Sequence, residues 1–146
     1  DNSIETTIKV NFNAADELLK NSHINVVSFN GTVLLVGQVP SQDTKNLATR
    51  LARTTSTRVK EVYNELEVAG STTFLSRSND AWLSAKIKTL MLTDSDVSGR
   101  RTKVVTENGV VYLMGLLTQE EANTAVELVS NTRGVTKVVR AFEYIN

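Results

Sequence analysis

A nine-residue pattern that occurs twice constrains the fold of this chain more than any other feature. Residues 31–39 and 109–117 both follow G-x-V-x-L-x-G-x-(V/L), each after an Asn, and their first glycines lie 109 − 31 = 78 positions apart. In a chain of 146 residues, this spacing predicts two copies of one module, each of roughly 70 residues. Differences between the copies then indicate where function resides.

Each copy of the pattern predicts a β-hairpin followed by a helix and a strand. Asn30-Gly31 and Asn108-Gly109 separate apolar runs, and Asn-Gly tolerates the positive φ of a type I′ turn. Ser41 and Thr118 are the predicted N-caps of the helices that follow. These helices carry apolar stripes, which consist of Leu47, Ala48, Leu51 and Ala52 in the first copy and Ala122, Ala125, Val126 and Val129 in the second.

The predicted unit is completed by a last strand and by a helix in front of the hairpin. The strands cover residues 59–68 and 135–145, and the helices cover approximately residues 3–15 and 79–93. The order of elements is therefore helix, strand, strand, helix, strand in both copies. Residues 70–78 are rich in small and hydroxyl side chains and are predicted to be a linker. Module 1 is then residues 1–69 and module 2 is residues 79–146.

Composition excludes several classes of function. Sixteen basic residues balance sixteen acidic residues, so no net positive field attracts nucleic acid, and we expect no nucleic-acid partner. The chain has no Cys, which excludes disulfides, thiolate metal sites and Cys nucleophiles within it. Its apolar runs are too short for a transmembrane helix, which needs about 18 apolar residues.

The residues that catalysis or metal binding require do not converge in this sequence. The single His, His23, precedes a predicted strand and is interpreted as a solvated or capping residue. The carboxylate pairs Glu120-Glu121 and Asp94/Asp96 fall at a helix start and in a loop, where capping and turn roles are ordinary. We therefore predict no catalytic residue, no metal site and no cofactor, and we expect a protein that is not an enzyme.

The combined pattern resembles the BON domain family. The doubled glycine motif follows a helix and precedes a second helix, and the last strand of module 2 opens with Gly134-Val135. The resemblance covers nearly the whole chain and implies an α+β fold of two tandem BON modules. Each would be α-β-β-α-β, with a three-stranded mixed sheet packed against two helices. Module 1 departs from the pattern, because Arg58-Val59 replaces Gly-Val and predicts an irregular last turn.

The helix that opens module 2 carries two apolar faces. An α-helix turns about 100° per residue, which places Leu83, Ile87, Leu90 and Met91 on one core-facing stripe. A second face, directed away from the core, consists of Trp82, Ala85, Thr89 and Leu92, with Lys86 and Lys88 on its two sides. An indole and a leucine beside lysines suit the headgroup boundary of an anionic bilayer.

The helix that opens module 1 serves as an internal control. Its apolar stripe contains Ile4, Ile8, Phe12 and Ala15, and only Val10 is apolar away from it. Because this copy lacks the second apolar face, that face is not a general requirement of the fold. From the residues alone, an alternative is equally supported: Trp82 packs against the other module or against Phe74 and Leu75 in the linker.

The resemblance favours the lipid interpretation. Dual-BON outer-membrane lipoproteins are implied to bind anionic phospholipid such as phosphatidylglycerol through the first helix of their second domain. The predicted lipid-binding residues are Trp82, Ala85, Lys86, Lys88, Thr89 and Leu92, and a secondary set comprises Leu83, Ile87 and Met91.

The resemblance also implies a cellular context. We expect a protein on the periplasmic side of the outer membrane, held by a lipid anchor on a Cys upstream of Asp1, that supports outer-membrane integrity. Its partners would be an anionic phospholipid surface and envelope proteins that the sequence leaves open. The alternative is a soluble periplasmic stress protein or chaperone-like interaction module with Trp82 at an interface.

Overall fold

Two compact units, Asp1–Thr72 and Thr73–Asn146, make up the chain. The computed structural model describes residues 2–69, 74–93 and 102–145. In module 1 the elements are α1 (Asn2–Ala15), α2 (Glu17–Asn21), β1 (His23–Phe29), β2 (Thr32–Val39), α3 (Gln42–Thr54) and β3 (Glu61–Val68). In module 2 they are α4 (Phe74–Thr93), β4 (Thr102–Glu107), β5 (Val110–Leu117), α5 (Gln119–Ser130) and β6 (Lys137–Tyr144).

Each module contains one three-stranded mixed sheet, with strand orders β1-β2-β3 and β4-β5-β6. The hairpin strands are antiparallel, with Val26 opposite Leu35 and Val104 opposite Leu113. The last strand of each module runs parallel to the central strand. A parallel neighbour needs a crossover, which helices α3 and α5 supply. The predicted α+β architecture of two α-β-β-α-β modules is confirmed.

Both hairpins turn at their Asn-Gly pair, as predicted. The φ angles are 54° at Asn30 and 82° at Gly31, and 52° at Asn108 and 80° at Gly109, which is the positive-φ pair of a type I′ turn. A second glycine of the motif allows two strands to approach closely. A Cβ on Gly37 would lie 2.0 Å from the carbonyl oxygen of His23 on β1, so only glycine fits there.

The helix caps and apolar stripes also follow the sequence. The Ser41 hydroxyl accepts a hydrogen bond from the Thr44 amide, and Thr118 forms a reciprocal capping box with Glu121. One face of α3 and of α5 is buried, and the core of each module is a separate cluster. In α3 the buried residues are Thr44, Ala48 and Ala52, and in α5 they are Ala122, Ala125 and Val129.

The structure departs from the sequence prediction at the end of α1. Ile4, Ile8 and Phe12 are buried as expected, whereas Ala15 is exposed. The short helix α2, which was not predicted, follows at once. The Asp16 carboxylate accepts hydrogen bonds from the backbone amides of Leu18 and Leu19 at its start. Leu19 of α2 is buried in the core cluster of module 1. The chain thus turns one residue after Ala15, and the apolar stripe continues on a different helix.

Three boundaries also differ. Helix α4 begins at Phe74, so residues 74–78, which the sequence indicated as linker, are helical, while residues 70–73 lie outside the described part. Strands β3 and β6 begin two residues later than predicted. The turns before them close alike, with Val59 N donating to Ser56 O and Val135 N donating to Thr132 O. The two turns differ in backbone angle, because Gly134 in module 2 has a positive φ and Arg58 in module 1 does not. The irregularity expected in module 1 is limited to this difference.

Candidate functional site

One face of α4 belongs to the core of module 2. Leu83, Ile87 and Met91, the secondary candidates, are almost completely buried in the same cluster as Val104 and Phe142. Leu90 is partly buried. The core-facing stripe predicted from the helical period is therefore confirmed, and these side chains pack within the protein.

The opposite face carries the six primary candidates and is called here the α4 outer face. Trp82 is 60% exposed and Leu92 is 65% exposed. Ala85, Lys88 and Thr89 are exposed, and Lys86 is partly buried. Two large apolar side chains are thus exposed on one helix, with two lysines on the same face.

Contacts within the α4 outer face organise its polar atoms. The Lys86 ammonium nitrogen lies 5.2 Å from the centroid of the Trp82 ring, within the range of a cation–π interaction. One turn later, the Thr89 hydroxyl donates to the Ala85 carbonyl oxygen at 3.0 Å. Because this hydroxyl is hydrogen-bonded within the helix, its transfer into an apolar phase costs less free energy than the transfer of a donor that has no partner.

The N-terminal half of α4 is fixed to the β4–β5 hairpin. The buried Asp80 carboxylate accepts hydrogen bonds from the backbone amides of Asn108 at 2.6 Å and Gly109 at 2.8 Å. The Ser84 hydroxyl donates to Thr106 Oγ1 at 2.7 Å. These bonds hold α4 on both sides of Trp82. Asp80 was not among the sequence candidates, although a carboxylate on the core side of an apolar stripe is a signal that could have found it.

Module 1 presents the same scaffold with a different surface. Ile4, Ile8 and Phe12 occupy the places of Leu83, Ile87 and Met91. The bond from the Ser28 amide to Glu5 takes the place of the Ser84–Thr106 bond. The α4 outer face then corresponds to a mainly polar set, namely Ser3, Thr6, Thr7, Lys9, Val10 and Asn13. The two helices therefore differ in surface chemistry and not in how they pack.

The remaining candidates for chemistry lie apart. Within the described ranges, no group of three or more His, Asp or Glu side chains could hold a metal ion. His23 is partly buried on β1, and Glu121 takes part in the α5 capping box. Asp94 and Asp96 lie outside the described residues, as do the side chains of Phe74 and Leu75. Among the helices described, none combines the length and apolarity that crossing a bilayer requires.

Comparison with known proteins finds relatives that match most of the chain. It is 45% identical over 123 residues to the outer membrane lipoprotein DolP of Haemophilus influenzae, covering 84% of this chain and 63% of that protein. It is 36% identical over 145 residues to a 21 kDa hemolysin of Actinobacillus pleuropneumoniae, covering 99% of this chain and 74% of that protein. The chain thus spans less than two thirds of the length of DolP. Neither relative is named as an enzyme.

The family assignment covers both modules. Among solved structures, the C-terminal domain of CdsD, a structural protein of the type III secretion system of Chlamydia trachomatis, aligns with a TM-score of 0.38 and 11% identity, over 100% of this chain and 67% of that one. The BON domain matches residues 1–70 and again residues 79–146. The chain therefore belongs to the BON domain family and consists of two tandem BON domains.

Proposed function

We propose that this chain is the globular part of a non-enzymatic, outer-membrane-associated protein that binds anionic phospholipid through the α4 outer face. The observation that carries the proposal is the exposure of Trp82 and Leu92 beside Lys86 and Lys88. The relation to a protein named outer membrane lipoprotein DolP supports the location. It also supports a lipid anchor in the full-length protein and a role in outer-membrane integrity.

The chemistry of the α4 outer face matches a bilayer boundary. An indole inserts its apolar body among lipid chains and keeps its N–H at the level of the headgroups. Lysines beside it extend their ammonium groups toward lipid phosphates. The one carboxylate of α4, Asp80, is buried and accepts two backbone amides, so α4 presents no exposed carboxylate beside the lysines. This combination favours phosphatidylglycerol over a zwitterionic lipid.

The size of the patch predicts weak binding in isolation. Burying one exposed tryptophan and one leucine stabilises the bound state by a few kcal/mol at ~25 cal/mol per Å², and each nearby lysine adds about 1 kcal/mol at an anionic surface. Losses of rotational and translational freedom offset much of this gain. A lipid anchor would keep the protein at the membrane, and the α4 outer face would then select the lipid.

Intrinsic fluorescence tests the proposal directly, because Trp82 is the only tryptophan in the chain. Vesicles of phosphatidylglycerol mixed with phosphatidylcholine should shift the emission of Trp82 to the blue and raise its intensity. Pure phosphatidylcholine vesicles should have a much smaller effect, and added salt should weaken the response because lysines contribute to it.

Unchanged emission with anionic vesicles would contradict the proposal, as would an equal response to both lipid compositions. In that case the alternative, a chaperone-like protein-interaction module with Trp82 at an interface, would account better for the exposed indole. Phosphatidylserine vesicles of equal charge density provide the control that separates phosphatidylglycerol selectivity from general attraction to negative charge.

A further inference from the structure

The turn between α5 and β6 lies against the N-terminal half of α4. A Cβ on Gly134 would lie 3.6 Å from Leu83 Cδ1, the residue that follows Trp82. Two residues later, the Thr136 amide donates to the Gly109 carbonyl oxygen at 3.0 Å. The Gly109 amide in turn donates to Asp80 on α4. The turn, the hairpin tip and the start of the α4 outer face therefore form one end of module 2.

Module 1 shows how far a side chain of this turn reaches. There Arg58 occupies the place of Gly134, because Arg58 O lies near Gly31 as Gly134 O lies near Gly109. The Arg58 guanidinium donates to Ser3 Oγ at 2.9 Å, and Ser3 occupies the place of Trp82. A side chain on this turn therefore reaches the position that the indole takes in module 2.

In module 2 the counterpart of Arg58 is a glycine. Gly134 has no side chain, and its φ of 101° disfavours any residue that has a Cβ. No side chain can therefore cover the flank of Trp82 from this position, as Arg58 covers Ser3. The neighbouring residue is Arg133, which is exposed and makes no hydrogen bond or ion pair within the part of the chain that the structure describes.

The charge of the turn matches that of the α4 outer face. Residues 131–137 contain no carboxylate, and module 1 has Thr57 in the place of Arg133. A guanidinium offers paired N–H donors to a phosphate. The added cation thus occurs in the same module as the exposed indole, on the turn whose Gly134 lies against Leu83 of the same helix.

We infer that the α5–β6 turn is a second part of the lipid-binding surface, with Arg133 contacting the phosphate of a phospholipid whose chains lie against Trp82. This inference rests on the function proposed for α4 and assigns part of the anionic selectivity to a residue outside that helix. The proposed ligand is a phospholipid in a bilayer, because a free phosphate would make no use of the adjacent indole.

The test compares two variants that lose one positive charge each. Arg133→Gln removes the proposed contact, and Arg50→Gln removes an exposed cation of module 1. Binding to vesicles of phosphatidylglycerol and phosphatidylcholine is measured by co-sedimentation, and folding is checked by thermal unfolding. A cation at an anionic surface is worth about 1 kcal/mol, so R133Q should weaken binding about fivefold. R50Q should stay within twofold of wild type.

Lipid composition and the Trp82→Ala variant complete the test. The deficit of R133Q should vanish at high salt and with pure phosphatidylcholine, and R133K should recover most of the affinity. If R133Q binds like wild type while W82A does not, the inference about the turn is wrong and the proposed function of α4 stands. If wild type itself ignores anionic vesicles, both are wrong.

Discussion

Replacement of Trp82 by alanine separates a binding role from a packing role. An indole covers about 200 Å² when it is fully buried. Since Trp82 is 60% exposed, its contacts within the protein cover roughly 80 Å², which is worth at most ~2 kcal/mol of folding free energy. Alanine returns about 0.5 kcal/mol through its higher helix propensity. We therefore expect Trp82→Ala to lower the free energy of unfolding by about 1 kcal/mol.

The effect on lipid binding should be larger. The exposed part of the ring, roughly 120 Å², is available for burial in a bilayer and is worth at most ~3 kcal/mol. Because each 1.4 kcal/mol changes affinity about tenfold, the variant should bind anionic vesicles about tenfold to a hundredfold more weakly. Vesicle co-sedimentation measures this loss, since the variant has no tryptophan emission, and urea unfolding followed by circular dichroism measures stability.

A matched variant on the other module controls for the loss of exposed apolar area. Val10 is 58% exposed on α1, so Val10→Ala should change neither lipid binding nor stability by a measurable amount. The reasoning would be refuted if Trp82→Ala bound vesicles within twofold of wild type. A loss of stability above about 3 kcal/mol would show instead that the ring is a packing residue.

Three further substitutions test how α4 and the sheets are held. Leu83→Ala should lower the free energy of unfolding by about 2–5 kcal/mol, because it opens a cavity in the core of module 2; an effect below 1 kcal/mol in urea unfolding would contradict its buried position. Asp80→Ala removes the acceptor of two backbone amides at the hairpin tip and should lower the free energy of unfolding by about 2 kcal/mol. Asp43→Ala, at an exposed position, should change it by no more than about 0.5 kcal/mol. Equal melting temperatures of the two variants would rule out the anchoring role. Gly37→Ala should unfold module 1 or cost more than about 3 kcal/mol, since the new methyl group would overlap a β1 carbonyl; a native-like circular dichroism melt would refute this.

Most of the fold follows from residues that are close together in the chain. The type I′ turns depend on two adjacent residues, and the caps at Ser41 and Thr118 depend on amides three residues away. The helical period alone distinguishes the core side of α4 from its outer side. Such short-range rules allowed the element order and the position of Trp82 on the outer side of α4 to be predicted.

The predictions from sequence are wrong where the local structure depends on residues far away in the chain. Nothing near Ala15 indicates that Leu19 of α2, and not Ala15, completes the core of module 1. Likewise, the early start of α4 at Phe74 is not visible in a segment rich in serine and threonine. At Leu19, burial in the core outweighs weak local preferences, which differ by only a few tenths of a kcal/mol per residue.

The sequence by itself determined that two copies of one module exist and that one helix of the second copy has a tryptophan on its outer side. Only the tertiary structure decided what surrounds that tryptophan. Asp80 meets its partners on the hairpin 28 and 29 positions away, and Gly134 approaches α4 from beyond α5. Periodicity within a helix reports the direction of a side chain, but it carries no information about which distant segment lies beside it. That depends on chain topology, which brings these segments together only when the sheet and helices have packed.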